Sequence, residues 1–292
     1  MTLGDSFTEG YPVYNGKTYP DVLSELLSNA ECRIKVINAG QGDTGTDQQL
    51  KLFTKYILPR LKPDVVIWSI YTNDIMDNIE KAVFTVSDSN KLVPLDGPMS
   101  WLSIRQLIYD NFPLPAPIKK ESYLFNLLIK STERLQRWQV PQQFKKNDEA
   151  WGLQKIKLAV EEMNRLAIIY GFDIYYVLIV NQSVYLEEAD PLNWKDDARA
   201  VRYRKIEAML HDHVDVINAR FSNPYMRSGM EDENPAGAPD IFADEKRDGN
   251  VFGDRHFNET GYRLLAVKVA QRLRLIDCNM PESENTLSGK SK

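Results

Sequence analysis

Short apolar runs alternate with amphipathic helical patterns along most of this chain. The apolar runs cover residues 35–40, 64–70, 173–180 and 214–219, and the helical patterns cover 18–29, 46–61, 149–171 and 258–276. The runs do not alternate polar and apolar residues, which is typical of strands buried on both faces. Strands that alternate with helices predict an α/β fold in three layers, a parallel sheet covered by helices on both sides.

One long segment interrupts this alternation. Residues 76–150 separate the second apolar run from its next helix, whereas such connections usually take ~2–6 residues. The segment contains a hairpin pattern at 82–95 and helical patterns near 101–109 and 123–135. We therefore predict a single domain over 1–275 with an inserted helical and hairpin subdomain at 76–150. A polar tail at 280–292 is predicted to be disordered.

Helix ends are also indicated. Thr46 is a suitable N-cap for the helix over 46–61, and Gly171 is a suitable stop for the helix before it.

Composition excludes several classes of partner and cofactor. The chain has 292 residues and a net charge of -5, and no block of Lys and Arg indicates a nucleic-acid or membrane-surface partner. Its two cysteines, Cys32 and Cys278, are too few for a disulfide framework or a zinc site. No apolar run approaches the ~20 residues of a membrane span.

A Gly-Asp-Ser turn ends at Ser6, and only Met1, Thr2 and Leu3 precede it. A strand that delivers Ser6 to a sheet edge needs about five residues. We therefore expect that this sequence begins at an internal methionine. An apolar run would lie upstream, after a signal or a membrane anchor, and a periplasmic or extracytoplasmic location would fit that expectation.

Ser6 needs a base, because a hydroxyl is a weak nucleophile until its proton is removed. The chain has three histidines. His211 and His213 share one side of a helix end, which favours a surface role. His256 lies in a polar loop before the last helix, and Asp254 two residues earlier could hold its tautomer.

Hydrogen-bond donors are expected at the same edge of the sheet. In a parallel sheet, ligands bind beyond the carboxyl ends of the strands. One strand delivers Asn38 and Gly40 there, and the next delivers Asn73 and Asp74. A glycine N–H and an asparagine amide are suitable donors for a developing oxyanion. A simple strand-ending turn is the alternative explanation for Asn73 and Asp74.

The stretch "GQGDTG" at 40–45 also matches G-x-G-x-x-G, the dinucleotide-binding pattern. The acidic residue expected about 20 positions later is not cleanly placed, since Asp64 precedes the next strand and Asp74 lies too far along. A nicotinamide site would also leave Ser6 and His256 unexplained. We favour a glycine loop whose backbone can approach a substrate.

Four blocks occur in the order and context of a known family: "GDSFTEG", "NAGQGDTG", "YTND" and "GDRHFNETG". Together they resemble the SGNH, or GDSL, hydrolase family. The resemblance implies a flavodoxin-like three-layer fold and ester hydrolysis through an acyl-serine, without metal or cofactor. It implies Ser6 as the nucleophile and His256 as the base. The Ser6 N–H, the Gly40 N–H and the Asn73 amide would form the oxyanion hole.

Two departures from the family pattern affect the site. Tyr71 stands where the third block usually has glycine, so the site is expected to be narrowed or the turn reshaped. The last block reads D-x-H instead of D-x-x-H. Either Asp254 orients His256, or Asp248 or a backbone carbonyl does so. The D-x-H spacing is similar to the arrangement in polysaccharide O-acetyltransferase relatives of the family.

The sequence therefore predicts a serine esterase that acts on a small or carbohydrate-linked ester. An O-acyltransferase acting on a polysaccharide is the first alternative, and a binding module whose catalytic site has decayed is the second. Aromatic residues in and beside the insertion could contact such a substrate, although packing onto the sheet is the favoured interpretation for most of them. They are Trp101, Phe112, Tyr123, Phe125, Trp138 and Trp151.

Overall fold

The computed structural model describes residues 1–28, 34–95, 149–189, 196–211, 215–220, 242–247 and 250–274. Side chains are described for these residues except 186–189, 242–247, 250–255 and 274. The strands are β1 Thr2–Gly4, β2 Asn38–Gly40, β3 Val65–Ile70, β4 Phe84–Val86, β5 Leu92–Pro94, β6 Asp173–Leu178, β7 Val216–Asn218, β8 Phe242–Arg247 and β9 Asn250–Phe257.

A helix begins within four residues of the end of β1, β3, β6 and β9. The helices are α1 Ser6–Glu9, α2 Tyr19–Leu27, α3 Thr46–Leu52, a π-helical turn Phe53–Ile57, α4 Leu58–Leu61, α5 Asp74–Glu80, α6 Glu149–Tyr170, α7 Gln182–Ala189, α8 Ala198–Leu210 and α9 Glu259–Arg274. None of the helices in the described part of the chain is long and apolar enough to cross a membrane.

Five strands form one parallel sheet in the order β2-β1-β3-β6-β7. β1 lies in its interior: Leu3 is paired with Ala39 of β2 on one side and with Trp68 of β3 on the other. The chain leaves β1 toward one edge of the sheet and leaves β3 toward the other. The carboxyl ends of β1 and β3 therefore form a topological switch point, where ligands bind in sheets of this kind.

Helices cover both faces of the sheet. Helix α2 packs against α9, and the long helix α6 packs against α3, α5 and α8. β3 is buried from Val66 to Ile70 because helices cover it on both sides, which is why its sequence is apolar without alternation. This confirms the predicted α/β fold with three layers and a parallel sheet.

The structure agrees with several of the predicted elements. The hairpin is formed by antiparallel β4 and β5. Helix α6 ends at Gly171, whose φ of 72° lies in the left-handed region that favours glycine. The predicted helices near 101–109 and 123–135 lie outside the described residues, as do Cys32, Cys278 and the tail at 280–292. The domain boundaries stay predictions.

Three local predictions were wrong. The N-cap of α3 is Gly45, not Thr46. The Gln48 side chain accepts the Gly45 N–H at 2.6 Å, and Thr46 is the first residue of the helix. The single helix predicted over 46–61 contains a π-helical turn. His256 lies near the end of β9, in an antiparallel pair with β8, and not in a loop.

Candidate active site

Ser6 is placed by a strand end and a helix start. β1 ends at Gly4, and Asp5 caps α1 because its Oδ1 accepts the Phe7 N–H at 3.0 Å. Ser6 is the first residue of that short helix, and its carbonyl accepts the Gly10 N–H at 2.9 Å. The Gly-Asp-Ser sequence thus supplies a strand end, a helix cap and a hydroxyl at the carboxyl end of β1.

His256 faces this hydroxyl. Its Nε2 lies 2.8 Å from Ser6 Oγ, which is hydrogen-bonding distance for a base and the group that it deprotonates. Two aromatic rings flank the imidazole: the centroid of Phe7 lies 4.8 Å away and that of Tyr11 lies 5.1 Å away. Tyr262 donates its hydroxyl to the Tyr11 carbonyl at 2.6 Å, so helix α9 holds one of these rings in place.

The glycine loop that follows β2 passes beside Ser6. A Cβ on Gly42 would lie 3.8 Å from the Ser6 Cβ. A Cβ on Gly40 would lie only 2.1 Å from the Glu9 backbone nitrogen, so only glycine allows β2 to approach α1 this closely. The Gly40 N–H donates to Asn38 Oδ1 at 2.9 Å, and the Gly42 N–H donates to Glu9 Oε2 at 2.7 Å.

Asn73 caps α5 just beyond β3. Its Nδ2 donates to Asp77 Oδ2 at 3.0 Å. Its Oδ1 is buried without a hydrogen-bond partner within the described side chains, and the Asn73 amide also lies close enough to the Asp5 carboxyl to lower the pKa of Asp5 by a hydrogen bond. The next residue, Asp74, is fully buried and accepts the Tyr71 N–H at 2.8 Å, which fixes the turn that presents Asn73.

Two buried carboxyl groups lie behind Ser6. Burial raises the pKa of Asp5 to about 6, although the Phe7 N–H and the charge of His256 lower it. Burial also raises the pKa of Asp74 well above its ordinary value, and the nearby Asp5 charge raises it further. Burial therefore favours the protonated form of both carboxyl groups relative to an exposed aspartate.

Tyr71 is buried under helix α1. It is 7 % exposed, and its ring centroid lies 4.4 Å from that of Phe7. Phe7 in turn contacts His256 and Phe257. The Tyr71 side chain, which stands where the family usually has glycine, therefore packs against Phe7 and supports α1.

The structure leaves some predicted residues without an assigned contact. Asp254 lies in β9, but its side chain is outside the described set, and Asp248 and His213 lie outside the described residues altogether. His211 is exposed, as expected of a surface histidine. No group of His, Cys, Asp and Glu side chains within the described ranges is arranged to hold a metal ion.

Sequence reasoning missed the polar groups that support the site. Asp5, Asp77 and Lys81 all contact predicted site residues or their loops. A signal for two of them was present, since Asn73, Asp77 and Lys81 recur at four-residue intervals. That spacing places them along one face of a helix.

Comparisons with known proteins identify the family of this chain. The family model described as "GDSL-like Lipase/Acylhydrolase family" matches residues 2–264. No curated protein matches the chain. A solved structure of a lipolytic protein G-D-S-L family member from Veillonella parvula DSM 2008 is 14 % identical, with 92 % of this chain and 94 % of that chain covered and a TM-score of 0.39.

A second solved structure is also 14 % identical and has a TM-score of 0.40, with 94 % of this chain and 96 % of that chain covered. The assignment does not rest on these two distant likenesses. It rests on the family model, which spans the residues from β1 to α9 and includes Ser6, Gly40, Asn73 and His256. The chain therefore belongs to the GDSL-like lipase and acylhydrolase family, whose broad activity is the hydrolysis of esters.

Proposed function

We propose that this protein hydrolyses esters through an acyl-serine formed on Ser6. The supporting observation is the 2.8 Å contact between Ser6 Oγ and His256 Nε2. His256 takes the hydroxyl proton while Ser6 Oγ attacks the ester carbonyl, and it returns that proton to the leaving alkoxide. Water, deprotonated by the same histidine, then attacks the acyl group and releases the acid.

Three donors are proposed for the oxyanion that develops in each step. The Ser6 N–H lies at the start of α1, where helical N–H groups have no intrahelical acceptor. The Asn73 amide donates one N–H to Asp77 and also hydrogen-bonds to the Asp5 carboxyl, so its second N–H must be shared between Asp5 and the oxyanion when substrate arrives. The Gly40 N–H is bound to Asn38 Oδ1, so Asn38 must share or release it when substrate arrives.

The proposed substrate is a small or carbohydrate-linked ester, in keeping with the family and the sequence. An O-acyltransferase remains a second candidate, supported by the D-x-H spacing of Asp254 and His256. In that reaction a sugar hydroxyl replaces water as the acceptor. The close Ser6–His256 contact argues against a binding module with a decayed site.

Turnover of p-nitrophenyl acetate tests the proposal. Ser6→Ala should abolish turnover. It should keep the wild-type melting temperature, because Ser6 lies at a sheet edge and is only half-buried. Ser89→Ala, in the exposed hairpin turn, is the matched control and should keep full activity. Persistent turnover in Ser6→Ala would refute the assignment of the nucleophile.

Two further measurements separate the open alternatives. Acyl product on an added acceptor sugar would indicate the transferase. Asp254→Asn should lower kcat strongly if Asp254 orients His256. Near-normal turnover in Asp254→Asn, beside an inactive His256→Ala variant, would show that another group orients the histidine.

A further inference from the structure

Lys81 lies at the centre of a polar chain that joins two parts of the proposed oxyanion hole. Its Nζ lies 2.8 Å from Asp77 Oδ1, and the other oxygen of Asp77 accepts the Asn73 amide at 3.0 Å. On its other side, Lys81 Nζ donates to the Asp43 carbonyl at 3.0 Å and contacts the Asp43 carboxylate. Asp43 lies in the glycine loop, which begins directly after Gly40 at the end of β2.

The Asp77–Lys81 pair in this chain is shielded from solvent, whereas the Asp43 side chain is 60 % exposed. The Asp77 and Lys81 side chains are only 12 % and 13 % exposed, so water screens their interaction weakly. Burial alone would lower the pKa of Lys81, but the charges and hydrogen bonds of Asp77 and Asp43 outweigh it and raise this pKa. Lys81 therefore carries its charge at physiological pH. Burial raises the pKa of Asp77, although the charge and hydrogen bond of Lys81 lower it, and the 2.8 Å contact with the Lys81 ammonium favours the ionised carboxylate.

The Asp77 carboxylate has two opposing effects on catalysis. By accepting one N–H of the planar Asn73 amide, it fixes the direction of the other N–H. Its negative charge, however, lies one side chain away from the place where an oxyanion would develop. An uncompensated carboxylate there would raise the energy of the transition state.

We propose that Lys81 is a positioning residue of this active site: it neutralises Asp77, holds it against the Asn73 amide, and ties the glycine loop to α5 through Asp43. This inference rests on the proposed function, because it assumes that Asn73 and the glycine loop stabilise an oxyanion. Lys81 touches no reacting atom. It acts through the groups on either side of it.

The test compares four variants in p-nitrophenyl acetate turnover: Lys81→Met, Lys81→Arg, Asp77→Asn and the double variant Asp77→Asn/Lys81→Met. Lys81→Met should lower kcat by ~10–100-fold, part of the ~10²–10³-fold typical for a lost oxyanion donor. KM should change by less than about threefold, because the interaction acts mainly in the transition state. Lys81→Arg keeps the charge and should restore most of the rate.

The double variant separates this role from a structural one. With Asp77 neutral, no carboxylate charge needs compensation, so the double variant should turn over at least about fivefold faster than Lys81→Met. Lys205→Met, a substitution in helix α8 that removes a salt bridge to Glu149 of helix α6, is the matched control and should keep wild-type kcat. If Lys81→Met does not fold, Lys81→Gln takes its place.

Each outcome decides the inference. Wild-type kcat in Lys81→Met, or a double variant as slow as Lys81→Met, would overturn it while the proposed function stands. A lower melting temperature with unchanged kcat would mean that Lys81 serves stability alone, and would also overturn it. A wild-type protein without Ser6-dependent turnover would instead overturn the proposed function, and this inference with it.

Discussion

Replacing Asp5 by asparagine should change how the stability of this protein depends on pH. Asp5 is 1 % exposed, and its pKa is raised from 3.8 to about 6 in the folded protein, chiefly by burial. Folding therefore favours the protonated carboxyl. This group costs no stability below the unfolded pKa, and the cost grows as the pH rises, until it is complete above the folded pKa.

The size of this cost follows from the pKa shift. A shift of about 2 units at ~1.4 kcal/mol per unit gives roughly 3 kcal/mol. Asparagine has the same shape, can still cap α1 through its Oδ1, and carries no charge. Relative to wild type, Asp5→Asn should thus gain roughly 3 kcal/mol of unfolding free energy between about pH 4 and about pH 8.

Urea unfolding of both proteins at those two pH values measures the effect. Asp197 provides a control of opposite sign. It caps α8, and burial alone would raise its pKa, but hydrogen bonds from the Ser183 side chain and from the Arg199 and Ala200 N–H groups hold that pKa below its ordinary value. The stability of Asp197→Asn relative to wild type should therefore fall as the pH rises. A pH-independent difference for Asp5→Asn, or one with the sign of Asp197→Asn, would refute the reasoning.

Two other substitutions test the packing beside the site. Gly40→Ala should cost ~3 kcal/mol or more and most of the activity, because the new Cβ would meet the Glu9 backbone nitrogen at 2.1 Å. Gly42→Ala should lower the melting temperature less than Gly40→Ala does, since the new Cβ would clash only with the movable Glu9 carboxylate. Lys155→Met should cost ~3–5 kcal/mol in urea unfolding, because it leaves the buried Asp47 carboxylate without its ion-pair partner. The double variant Asp47→Leu/Lys155→Met should recover most of that loss, and a failure to recover would contradict this account of the pair.

Much of the fold was predictable because its strands are buried on both faces. The apolar runs near β3 and β6 have no alternation, which is typical of strands in a parallel sheet covered on both faces. The proposed site was predictable for a related reason. Residues that directly follow parallel strands must meet at one edge, so Ser6 and Asn73 could be brought together before the structure was known.

The remaining features depend on tertiary contacts that local patterns do not contain. The strand β9 that carries His256 pairs with β8, and its polar sequence resembles a loop. Lys155 is fully buried because Asp47, more than a hundred residues away, neutralises it. The cap of α3 at Gly45 is a local feature by contrast: the Gln48 side chain, three residues later, accepts the Gly45 N–H.

Labelling with a fluorophosphonate probe, followed by peptide mapping, tests the central claim most directly. The probe reacts only with a serine whose hydroxyl is activated, so it reports on the Ser6–His256 pair without requiring knowledge of the substrate. We predict one modified peptide, carrying the label on Ser6, and no label in the Ser6→Ala or His256→Ala variants. Label on another serine, or unchanged labelling after His256→Ala, would contradict the account.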